Sequence, residues 1–143
     1  MGTYNNSSLI ILGLLLIATA SSVANSLDII SVVQVNVEGT LHCSLPPVPS
    51  GSPTLSGVSV FLSCDNGLTT MAKATTEVDG SFKIVYTPLT IFLFDQLKCA
   101  IFVKTPIASC NVFAGALIKA TLVSVNLLDS IANYNSGDFQ NIL

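Results

Sequence analysis

Four cysteines, one histidine and eight carboxylates are the side chains of this 143-residue chain with the most obvious chemistry. Cys43, Cys64, Cys99 and Cys110 could ligate a metal, act as nucleophiles or pair with one another. Zinc sites commonly bring thiolates together at C-x2-C spacing, and no pair here has it. His42 adjoins Cys43, so on a strand the two point to opposite faces. A hydrolytic triad needs a base to take the serine or cysteine proton. His42 is the one histidine available, on an outward-facing position, and no G-x-S-x-G elbow occurs. Paired carboxylates could do glycosidase work. Glu77 and Asp79 are the nearest pair of shared parity, but they flank a turn and read as solvated. Phosphate-loop and dinucleotide fingerprints are missing. The expectation is a non-enzymatic protein with no catalytic residues, no metal and no cofactor.

The compartment decides what the cysteines do. Leu9 to Ala18 (LIILGLLLIA) is an uncharged apolar run, and Ser22-Val23-Ala24 fits the small-x-small pattern of signal peptidase. The run is about half of what a spanning helix needs. Residues 1–24 therefore read as a secretory signal peptide cut after Ala24, leaving 25–143 as a single β-domain with no transmembrane anchor. An even cysteine count behind a signal implies two disulfides, in one of three connectivities. All charged residues follow Ala24, with five lysines, no arginine and a net charge of −3. That balance excludes a nucleic-acid footprint and a polybasic membrane patch. The glycosylation sequons at Asn5 and Asn6 fall inside the signal, and none follows it.

The elements that position the cysteines are strands. In Val33–Cys43, Val33, Val35, Val37, Leu41 and Cys43 share one parity, and Gln34, Asn36, Glu38, Thr40 and His42 share the other. The first strand is predicted over Val32–Cys43, with Gly39 marking a bulge or a close backbone approach. The proline-rich stretch Leu45–Pro53 reads as a stiff connector. In Gly57–Cys64, Val58, Val60, Leu62 and Cys64 again share a face. Asp65-Asn66-Gly67 then signals a hairpin into a strand near Thr69–Thr76. Asp79-Gly80 turns the chain into Phe82–Tyr86. Pro88–Leu97 has no clean period. It reads as a buried crossover, with an exposed apolar patch or a lid over a small apolar ligand as alternatives. Cys99–Lys104 is a further strand, ended by Thr105-Pro106. Ala114–Leu128 is read as strand from its β-branched residues, although a helical stripe is also present. Residues 128–143 read as a partly ordered tail.

The motifs V-x-G-T-L-H-C-S near 37–44, G-V-S-V-F-L-S-C at 57–64, T-x-x-x-G-x-F from Thr76, L-K-C at 97–99 and T-P-I-A-S-C-N at 105–111 carry a family signal. Their order resembles the secreted plant family typified by the major olive pollen allergen and, within it, the phylloplanins, over about Val35–Val125. The resemblance implies an all-β fold: an immunoglobulin-like or transthyretin-like sandwich or barrel, of about six to seven strands by the strand reading. It implies the pairings Cys43–Cys110 and Cys64–Cys99. The family's C-x-x-C start has Pro46 here in place of its second cysteine, and the late partner of that cysteine is missing too. The implied role is defence at the plant surface, by inhibiting germination of oomycete or fungal spores. The alternative is a cell-wall structural or binding module, for which Tyr86 and Tyr134 are the candidate glycan-stacking aromatics. The expected partner is a microbial surface or a plant cell-wall component. Acidity and the absence of arginine remove attraction of a cationic protein to anionic membranes as a mechanism.

Overall fold

The computed structural model describes residues 29–113, 115 and 117–142. The expected signal peptide lies outside the described residues. Among the described residues the strands are β1 Ile29–Val32, β2 Gln34–Thr40, β3 Ser59–Ser63, β4 Ala72–Thr75, β5 Ser81–Tyr86, β6 Phe92–Asp95, β7 Ala100–Lys104, β8 Leu117–Leu128, β9 Ile131–Ser136 and β10 Gln140–Asn141. The main sheet runs β4-β3-β7-β8-β9-β2-β5, with β10 also on β8, and β1 pairs with β6 in a small second sheet. The strands at the two ends of this order, β4 and β5, are consecutive in the chain. The turn between them brings the ends together, so the sheet curls into a nearly closed barrel.

β2 is the strand whose alternation is clearest, and it behaves as its sequence dictates. Val35, Val37 and, just beyond it, Leu41 have no exposed surface. They meet Ile84 of β5, Tyr134 of β9 and the inward residues of β3 and β7 in one core. Gly39 marks a close approach and not a bulge, because the β2–β5 register runs unbroken from Val35↔Tyr86 to Thr40↔Ser81. A Cβ on Gly39 would lie 2.7 Å from Cζ of the buried Phe82 ring and 1.9 Å from Ser136 Oγ.

β3 and β7 are buried on both faces. Inward, Val60, Leu62, Ile101 and Val103 join the main core. Outward, Phe61, Phe102 and Ala100 form a second cluster with Leu117, and the two rings stack with centroids 5.8 Å apart. Gly67, at a φ of +86°, lays the β3–β4 loop over Phe102 and Leu117. A strand buried on two sides reads as a continuous apolar run, as Ala100–Val103 does.

Several expectations are corrected. The predicted first strand is two strands, because the chain bends at Val33, whose amide bonds to the Ser130 carbonyl. Val32, not Val33, is the buried residue there. The β3–β4 connection has Asn66 and Gly67 at positive φ as expected, but it runs from Cys64 to Met71. The partly ordered tail is instead β9 and β10. β9 lies between β8 and β2, antiparallel to the first and parallel to the second. Its Ala132 and Tyr134, and Phe139 beyond it, are core residues. Ala114–Leu128 contains a strand, β8, as predicted. In Pro88–Leu97 only Phe94 is buried and Phe92 is half-buried, while Leu89, Ile91, Leu93 and Leu97 are exposed. β1, β6, β9 and β10 account for much of the strand count beyond six to seven.

The Gly39 contact sets a test. Ser136 Oγ can rotate away, but the Phe82 ring is held in the core. Gly39→Ala is expected to lower stability by about 1–3 kcal/mol in urea denaturation. An unchanged midpoint would show that the ring yields freely.

Candidate binding surface

The disulfides are Cys43–Cys110 and Cys64–Cys99, spanning 67 and 35 positions of sequence. Cys64 directly follows β3 and Cys99 directly precedes β7, so this bridge clamps the end of the pair that starts at Ser63↔Ala100. Cys110 closes the 105–110 loop through a bridge to Ile107 and ties it to the end of the β2 segment.

Beside the inner bridge, the buried Ser63 hydroxyl donates to Asp65 Oδ1 at 2.6 Å and accepts from the Gly67 amide at 3.0 Å. The Thr69 amide donates to the same carboxylate oxygen at 2.8 Å. The Ser63 hydroxyl first, then the Thr69 donors, lower the Asp65 pKa to about 2. This network shapes the loop that covers Phe102.

The other candidate residues fall in separate places. His42 is half-buried at the base of the proline-rich excursion, with Nδ1 3.4 Å from the Ser52 carbonyl. That excursion is closed at its base by hydrogen bonds from Cys43 N to Pro53 O and from Leu55 N to Leu41 O. Asp79 accepts from the Ser81 hydroxyl at 2.6 Å and its amide at 3.0 Å, and these bonds lower its pKa. A glycosidase acid needs its pKa raised. Glu77 is exposed, and its amide joins the same turn. Tyr134 is 4% exposed and packs on Phe94, so it offers no stacking platform. Tyr86 is half-buried, edge-on to Phe92.

Two surfaces went unread in the sequence. One is a groove of about 450 Å³ on the outer face of β3 and β4, walled by Ser56–Ser59 on one side and Pro106–Ser109 on the other. Phe61, Thr70, Lys73 and Lys104 complete its lining. The other is an amide ladder across three strands. Gln34 Nε2 donates to Asn36, Asn36 Nδ2 to Asn133, and Asn133 Nδ2 to Asn126. The alternation of β2 signalled the polarity of its own outward positions. Nothing local signalled their partners nearly a hundred residues away.

A family model described as phylloplanin antifungal protein matches residues 30–142. The chain belongs to the phylloplanin family. The phylloplanin match runs from β1 to β10 and includes both disulfides and the groove. Among solved structures the chain is similar to the crystal structure of the major plantain pollen allergen Pla l 1. The TM-score is 0.44 at 16% identity, over 77% of this chain and 98% of that one. Comparison with curated proteins finds no match. The pairing implied by the family resemblance is the pairing found.

Loop-closure entropy assigns each bridge about 4 kcal/mol alone, and less together because the inner bridge shortens the outer loop. A domain of this kind is stable by about 5–15 kcal/mol. Reduction is therefore expected to abolish or strongly lower the cooperative thermal transition, and unchanged melting under reductant would refute it. Asp65 sets a second test. Its folded pKa is depressed, so its contribution is present above the ordinary 3.8 and is lost as pH falls through about 2. The stability difference between the native chain and Asp65→Asn should narrow across that window. A difference that persists unchanged to pH 2 contradicts this.

Proposed function

We propose that the chain is a secreted, non-enzymatic plant defence protein that inhibits germination of oomycete and fungal spores at the plant surface. The observation that carries this reading is the family match over 30–142, whose own description is antifungal. Two further features support it. The disulfide-stapled fold suits an oxidising exterior. The candidate acid, base and nucleophile positions are engaged in turns, bridges and loop contacts that serve the fold. The partner on this reading is a component of the microbial surface or of the plant cell wall. With a net charge of −3, recognition depends on specific contacts and not on bulk cationic attraction to membranes.

The test is a germination assay on oomycete and fungal spores with the oxidised secreted form. Reduced and alkylated protein is the control. Inhibition by the oxidised form alone is expected. No inhibition at any soluble concentration, together with binding to isolated wall polymers, would replace the defence reading with that of a cell-wall module.

A further inference from the structure

The groove on the outer face of β3 and β4 combines a fixed shape with one sign of charge. Register places its floor: Phe61 of β3 faces Lys73 of β4 and Phe102 of β7, so all three stand on the outer face. Lys104 follows Phe102 by two residues on the same strand and shares that face. Lys73 and Lys104 are two of the five basic residues in the chain, and the groove lining contains no carboxylate. Among the described residues the ion pair is Lys83–Glu38, which leaves both groove ammonium groups without an acidic partner.

Both walls are held from behind. On one side, Thr76 is buried and takes the Gly57 amide on its carbonyl and the Val58 amide on its hydroxyl. On the other, Ile107 is buried and Cys110 is bridged to Cys43. Between them the surface is mostly apolar, with Val58, Phe61, Pro106 and Ile107, and the polar groups are hydroxyls beside the two lysines. Preformed pockets of this size with few polar groups are typical of small-ligand sites.

We infer that this groove binds a small amphipathic carboxylate, an aliphatic or aromatic acid. The carboxylate sits between Lys73 and Lys104, and the hydrocarbon lies against Phe61, Pro106 and Ala108. Charge-assisted hydrogen bonds from the two lysines orient the acid. Burial of its apolar part supplies most of the affinity. The inference is independent of the defence reading and survives if spores are unaffected.

Decanoate, decanol and acetate are the probes, titrated calorimetrically into the intact oxidised protein. Decanoate should bind once per chain, about tenfold or more tighter than decanol. Acetate, lacking the apolar part, should give no measurable binding. Lys73→Gln combined with Lys104→Gln should remove the preference for decanoate over decanol. Ala108→Trp, which fills the groove without touching its charge, should remove decanoate binding. Lys83→Gln, outside the groove, should leave it intact, and thermal melts check that each variant is folded. Equal affinity for decanol and decanoate would overturn the proposal. So would unchanged binding in folded Ala108→Trp protein, or no decanoate binding at all.

Discussion

The parallel pairing of β2 with β9 is the constraint on which the rest of the structure depends. It joins Gln34–Glu38 to Ile131–Asn135 and fills the gap between β8 and β2. Without it, the inward face of β2 would be open along one edge and the barrel could not close. The link spans the chain: Asn36 and Asn133, bonded to one another, are 97 positions apart. Closing so long a loop costs entropy before any contact forms. The Cys43–Cys110 bridge changes that cost. Through the bridge, the path from Asn36 to Asn133 is only about thirty residues, which reduces the closure term by about 1 kcal/mol. The outer disulfide thus helps to bring the two ends of the domain into register, besides stapling a loop.

The parts legible in the sequence are those where local pattern and final environment agree. Val35 and Val37, like Phe82 and Ile84, alternate with polar residues because their strands have one face in the main core, whereas β3 and β7, buried on both faces, read as short apolar runs. Asp79-Gly80 reads as a turn because Gly80 needs a positive φ, which it has. β9 was illegible for the opposite reason. Its inward residues, Ala132 and Tyr134, alternate with Asn133 and Asn135, and asparagine is a poor strand former. Its turn from β8, at Asp129 and Ser130, has positive φ at two residues that are not glycine. Amide ladders and a neighbour on either side stabilise what local propensity would not. The groove was illegible because its lining comes from three separate stretches, and serines, lysines and a proline carry little signal one at a time.

The outer face of β3 and β7 explains why the inner disulfide sits where it does. A barrel of this size fills its interior with one set of side chains, yet Phe61 and Phe102 point the other way. Phe102 is sheltered by the loop that leaves β3 through Cys64, while Phe61 lies in the groove floor. Ser63 and Asp65 fix the start of that loop, and Gly67 brings its backbone onto Phe102. Were the loop to detach, the Phe102 ring would meet water, at a cost of about 1.5–3 kcal/mol in lost burial. The Cys64–Cys99 bridge lies where this loop begins and β7 starts, so it holds the cover and the covered surface together.

This arrangement divides the surface into regions of different chemistry. The amide ladder of β2, β9 and β8 is neutral and hydrogen-bonded to itself, so its polar groups are partly spent within the fold. An exposed apolar strip of Leu89, Ile91 and Leu93 leads into β6 of the small sheet, with Leu93 73% exposed. Leu93 stands opposite Ser31 of β1, and contacts to so exposed a strip discriminate poorly between apolar partners. The β3–β4 groove combines an apolar floor, walls anchored by Thr76 and a disulfide, and two cations that no described carboxylate pairs. Specific recognition by a protein of low charge needs directional contacts in a preformed space, because long-range attraction is weak. The groove meets that requirement because the residues that build its walls also hold the fold together.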